Sequence, residues 1–221
     1  LGKFSLFLSG AQGLMEIDLK KDPGARRSIA VDFDEDGDLD ILVQMTQAKE
    51  AIILFENRGG GQFREETLLA FQPAFGSSDF RFEDMDGDGH RDLILVNGDN
   101  ADQSQILKYF HGVRIFKNDG KGKFEEKWFY PMYGASGLEI ADFDQDGDQD
   151  LVVISFFPDS SQKPKQDLIY FQNTTSGFKP FALTHEQDFH YLTLAKGDLD
   201  LDGDLDLVVG GFEFDQLYQA P

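Results

Sequence analysis

The sequence contains no cysteine, which excludes a disulfide scaffold, a thiolate zinc site and a cysteine nucleophile. No apolar stretch approaches the roughly 20 residues needed to span a bilayer, so membrane insertion is not expected. The apolar opening, residues 1–10, is too short and too weakly basic for a signal peptide; any export signal is expected to have been removed or to lie upstream. Histidine is scarce, with only His90, His111, His185 and His190, and no G-x-S-x-G nucleophile motif occurs. Positive charge is also in short supply. Against 41 Asp and Glu stand 20 Lys and Arg in 221 residues, a formal charge of −21. That balance disfavours nucleic acid and anionic lipid as partners and favours cations. A hydrophobic content of 40% with 22 Phe still provides a core, so wholesale disorder is not expected.

What is abundant is repetition. The nine-residue pattern D-x-D-x-D-G-x-x-D occurs four times. Its acidic positions are Asp32, Asp34, Asp36, Asp38 and Asp40; then Asp84, Asp86, Asp88 and Asp92, with His90 at position 7. The third copy has Asp142, Asp144, Asp146, Asp148 and Asp150, and the fourth Asp198, Asp200, Asp202, Asp204 and Asp206. These loops hold 20 of the 41 acidic residues, so most of the net charge is local to them.

Each loop follows a short apolar segment (29–31, 80–82, 138–140, 192–194) and precedes a β-rich run (41–43, 93–96, 151–154, 207–209). This reads as strand, tight acidic loop, strand. A third strand is expected at 52–55, 113–116 and 168–171, each ending at an Asn (Asn57, Asn118, Asn173). A Gly-rich turn then leads to a fourth strand opening near Phe63, Phe124 or Phe178. Helical periodicity is nearly absent; residues 105–110 are the one place where a helical turn is expected. Four-stranded units at this spacing predict an all-β chain, a β-propeller or part of one, with the phenylalanines packed between blades. The expected organisation is three complete blades, 29–70, 80–131 and 138–185, flanked by partial blades at 1–28 and 192–221. Further blades, or another chain, are expected to complete the ring.

Five carboxylates within nine residues repel one another unless a cation sits among them. Ca²⁺ takes six to eight hard oxygen ligands in flexible geometry, whereas Mg²⁺ resists dehydration and zinc or copper prefers softer donors. Four Ca²⁺ sites are therefore expected. Side chains at positions 1, 3, 5 and 9 are the candidate ligands, and position 7 (Asp38, His90, Asp148, Asp204) contributes its backbone carbonyl. That division explains why a histidine is tolerated at position 7. An EF-hand would need a bidentate Glu at position 12 and flanking helices; position 12 is Val43, Leu95, Val153 or Val209, each inside an expected strand.

The four loops, together with Asn-Gly-Phe elements such as 118–124, make the chain resemble the FG-GAP/VCBS repeat family, whose members include the integrin α-subunit propellers. The run 140–153 is especially typical. The literal Phe-Gly and Gly-Ala-Pro signatures are absent, the nearest being Phe75-Gly76 and Gly134-Ala135-Ser136. The resemblance implies an extracellular, cell-surface or periplasmic module with Ca²⁺ between first and second strands, in a style nearer to bacterial surface members than to integrins. The expected role is non-enzymatic adhesion or recognition of a protein or glycan. The rim residues Tyr109, Phe110, His111, Phe156 and Phe157 are candidate contacts, since the second-to-third-strand connections vary in length. The alternatives are a propeller enzyme acting on polysaccharide, for which Glu139 and Asp188 are carboxylates outside the loops, and a purely architectural segment.

Overall fold

A computed structural model describes residues 2–47, 49–99, 106–159, 161–183 and 190–212. The described chain is all-β. Sixteen strands run in order: β1 (Phe4–Gly10), β2 (Gly13–Lys20), β3 (Ala25–Val31), β4 (Asp40–Thr46), β5 (Glu50–Asn57), β6 (Phe63–Phe71), β7 (Ser77–Glu83) and β8 (Asp92–Asn97). They continue as β9 (Gly112–Asn118), β10 (Phe124–Pro131), β11 (Ala135–Ala141), β12 (Asp150–Ser155), β13 (Leu168–Gln172), β14 (Lys179–Ala182), β15 (His190–Gly197) and β16 (Asp206–Phe212). The strands form three four-stranded meanders, β3–β6, β7–β10 and β11–β14, and two two-stranded sheets, β1–β2 and β15–β16. These sheets are blade-like, as the repeat predicts. The chain divides into two compact units, 1–77 and 78–221.

The central strands are near-continuous apolar runs because both of their faces are covered. In β12, Leu151 and Val153 join a core with Ile94, Val113, Leu138 and Phe171. The alternate residues Val152 and Ile154 join a separate cluster with Leu168 and Tyr191. Period-two alternation thus gives each neighbour one face of the third sheet. In the first unit, Val43, Met45, Ile53 and Phe55 pack with Phe4 and Leu19 of β1–β2. The fourth strands are the most solvated members, with β6 and β10 showing mostly exposed or half-buried residues.

One register recurs. Ile41 pairs with Phe55, Leu93 with Phe116 and Leu151 with Phe171. In each sheet the Asp that closes the acidic loop immediately precedes the first of these residues, and an X-Asn dipeptide immediately follows the Phe. This shared register sets where each acidic loop meets the third strand of its sheet.

Two expectations are corrected. Residues 106–110 are irregular chain ending in a turn, not a helix; residue 105 lies outside the described residues. The first strands also begin earlier than the apolar segments at 29–31 and 80–82. Ala25 already pairs with Met45, since pairing with a buried second strand carries polar residues such as Arg27 and Ser28 into the ladder.

Candidate metal centre

The acidic loops fold alike. At position 1, Asp32 Oδ2 accepts the Gly37 N–H (3.2 Å), Asp84 Oδ2 that of Gly89 (2.9 Å), Asp142 Oδ2 that of Gly147 (2.9 Å) and Asp198 Oδ2 that of Gly203 (3.1 Å). Position 5 accepts the N–H of position 7: Asp36 from Asp38 (3.0 Å), Asp88 from His90 (2.9 Å), Asp146 from Asp148 (3.0 Å) and Asp202 from Asp204 (2.9 Å). The position-6 glycines have φ between 90° and 99°, where a β-carbon would clash with its own backbone. Position 4 is left-handed as well, and only the second loop relieves it with Gly87; Glu35, Gln145 and Leu201 hold φ of 59–64°.

Position 9 behaves differently. Asp40, Asp92 and Asp150 are almost wholly buried and each ties its loop to the third strand. Asp40 accepts the N–H groups of Phe33 (2.9 Å) and Asn57 (2.7 Å). Asp92 accepts those of Met85 (3.3 Å) and Asn118 (2.9 Å). Asp150 accepts those of Phe143 (3.1 Å) and Asn173 (2.7 Å), and the Tyr170 hydroxyl (2.9 Å). The Asn side chains return the tie, donating to the carbonyls of Leu39 (3.2 Å), Arg91 (3.1 Å) and Gln149 (3.1 Å). In the fourth loop Asp206 accepts the Leu199 N–H (2.8 Å).

Carboxylate oxygens converge in every loop. Asp32, Asp34 and Asp36; Asp84, Asp86 and Asp92; Asp142, Asp144 and Asp146; and Asp198, Asp200 and Asp206 each bring three oxygens within 4.8 Å of one another. Asp40 and Asp150 lie outside these groups. Buried Oδ1 atoms of Asp32 and Asp198 have no hydrogen-bond partner among the described residues, an arrangement that costs free energy unless something positive meets them. Desolvation, then the charges of Asp36 and Asp40, pushes the carboxyls of Asp34 and Asp38 above the ordinary Asp range. Burial does the same to Asp92 and Asp150, opposed by the backbone N–H groups they accept. This all-oxygen donor set fits a hard divalent cation. The His90 side chain is not aimed at a cluster: its ring lies against Gly120, where an added β-carbon would stand 2.6 Å from Nε2.

The residue before each Asn was not singled out in the sequence, and it reaches the loops. Gln172 Nε2 donates to Asp144 Oδ2 (2.5 Å). The Lys117 ammonium pairs with Asp86, and with Asp88 at 3.4 Å. Glu56 instead pairs with Arg58 and, at 2.6 Å, with Arg64. The recurring Phe-X-Asn tripeptide is the signal that marks these positions.

Of the rim candidates, Tyr109 is 83% exposed and meets Tyr133 edge-on at 6.3 Å. Phe156 and Phe157 are half-buried against each other and His190. His111 is buried, so it is not a surface contact, and neither ring nitrogen has a hydrogen-bond partner among the described residues. Burial, aided by the charges of Lys108 and Arg114, lowers its pKa from 6.5 to about 4. The unfolded chain binds this proton first, so the contribution is intact above pH 6.5 and is lost as pH falls towards 4, by roughly 3 kcal/mol at most. His111→Leu loses no side-chain hydrogen bond and is expected to flatten this part of the stability profile; parallel wild-type and variant melting curves between pH 7 and 4 would contradict it. Glu139 is held by Arg81 at 2.8 Å, which links β11 to β7, a structural pairing. Asp188 lies outside the described residues.

A comparison with curated proteins finds no match. The family model for the FG-GAP-like repeat matches residues 32–95 and again 84–153, each match running from one acidic loop into the strand after the next. Together they span more than half of the chain, which belongs to the FG-GAP-like repeat family.

Proposed function

We propose that the protein is a non-enzymatic, calcium-stabilised recognition module that works outside the cytoplasm. The observation that carries this reading is the recurrence, in all four loops of one geometry, of three converging carboxylate oxygens, with orphaned buried oxygens at Asp32 and Asp198. Ca²⁺ would be held by Asp32, Asp34 and Asp36 in the first loop and Asp142, Asp144 and Asp146 in the third. In the second and fourth loops it would be held by Asp84, Asp86 and Asp92 and by Asp198, Asp200 and Asp206, with position 7 adding its carbonyl. Bound Ca²⁺ supplies counter-charge, so its binding free energy becomes folding free energy.

An extracellular setting is supported by the family, since FG-GAP repeats are typical of extracellular or surface proteins. No helix among the described residues is long and apolar enough to cross a membrane. Recognition is supported by Tyr109, an exposed ring beside Tyr133 on the variable connection between β8 and β9. Aromatic faces of this kind suit sugar rings or protein side chains. A glycan array read in 1 mM CaCl₂, with the supernatant analysed for products, tests the reading. Retention of a glycan that Tyr109→Ala weakens, without turnover, is expected. Released product would overturn the non-enzymatic reading. An empty array, repeated with extracellular protein ligands, would favour an architectural segment.

A further inference from the structure

The four loops are not equal. The first carries six acidic residues and the third and fourth five each, but the second has four and includes Arg91. Two observations set the second loop apart. Lys117 reaches it from the end of β9 and pairs with both Asp86 and Asp88. Its position 4 is glycine, so the turn forms without the left-handed strain of the other three loops.

At the same register position, the first sheet has Glu56 and the third has Gln172. One strand position therefore carries a negative, a positive and a neutral side chain beside three loops of the same backbone fold. The difference is chemical, because the backbone framework is common to all three.

We propose that Lys117 is a tethered counter-cation for the second loop, which organises that loop without metal and makes it the weakest calcium site of the four. The inference rests on the calcium reading above. An ammonium on Asp86 and Asp88 competes directly with a divalent ion for the same oxygens and repels it at short range. It also neutralises carboxylates that would otherwise repel one another in the metal-free protein. Lys117 thus stabilises the apo loop and opposes the loaded one.

Calorimetric titration of the full chain with CaCl₂ is expected to resolve a tight class of sites and one weak site. Asp86→Ala should remove the weak site and leave the tight class. Lys117→Gln, which copies the residue of the third sheet, should tighten the weak site roughly tenfold or more; Lys117→Arg, which keeps the charge, should leave it weak. Melting temperatures add an opposite-signed pair: Lys117→Gln should melt below wild type in EDTA and at or above it in calcium. A merely structural lysine would lower both. Four equivalent sites in wild type, or a Lys117→Gln variant unchanged in affinity, would overturn the role of Lys117 alone. A wild-type chain that binds no Ca²⁺ would overturn the calcium reading with it.

Discussion

Excess EDTA is expected to lower the melting temperature of the calcium-loaded protein by roughly 15–30 °C, with full recovery when CaCl₂ is restored. A site at one hundred times its dissociation constant contributes about 2.7 kcal/mol, so three tight sites contribute about 8 kcal/mol. In a chain of this length each kcal/mol is worth about 2–4 °C. The first loop lies in one compact unit and the other three in the second, so both units are expected to respond to the chelator. Magnesium at the same concentration should recover little, because it keeps its water shell rather than accept a crowded carboxylate loop. Differential scanning calorimetry with and without chelator is the measurement. Identical traces would remove the metal from the account.

Asp150→Ala is expected to destabilise the protein by roughly 3–6 kcal/mol in urea titrations, and to do so in EDTA as well as in calcium. Its carboxylate satisfies the N–H groups of Phe143 and Asn173 and the Tyr170 hydroxyl, and an orphaned buried donor costs about 1–3 kcal/mol. Asp150→Asn keeps one acceptor oxygen and should cost about half as much. Persistence of the loss without calcium is the informative part. A pure metal ligand would cost nothing in EDTA, so a metal-free loss below about 1 kcal/mol would show that Asp150 is not a backbone clamp.

The second and third strands were legible in the sequence because both of their faces are buried, and runs such as 93–96 and 151–154 have no polar interruption to blur them. The first strands were cut short for the opposite reason. Residues 25–28 are mostly polar, and only their partners in β4 make them strand. All four carboxylate clusters were visible as a motif, since their ligand types sit next to one another in the chain. The division of labour inside the motif was not. That Asp150 is a buried clamp while Asp92 serves both the clamp and a carboxylate cluster depends on how each loop closes against a strand some 25 residues away. Lys117 was hidden likewise. At the end of a strand it reads as an ordinary solvated base, and only the Leu93–Phe116 register turns it towards the second loop. His111 was misread as a contact residue because the connection that carries it looks polar and variable.

The two-faced third sheet limits how this protein can be divided. Leu151, Val153, Ile169 and Phe171 lean on one neighbour, and Val152, Ile154 and Leu168 on the other. A fragment cut at the visible repeat boundaries would therefore carry two bare apolar walls into water and would be expected to aggregate. In such a stack, stability is shared between neighbours rather than owned by each repeat. The smallest piece worth isolating for ligand work is a sheet together with both of its companions.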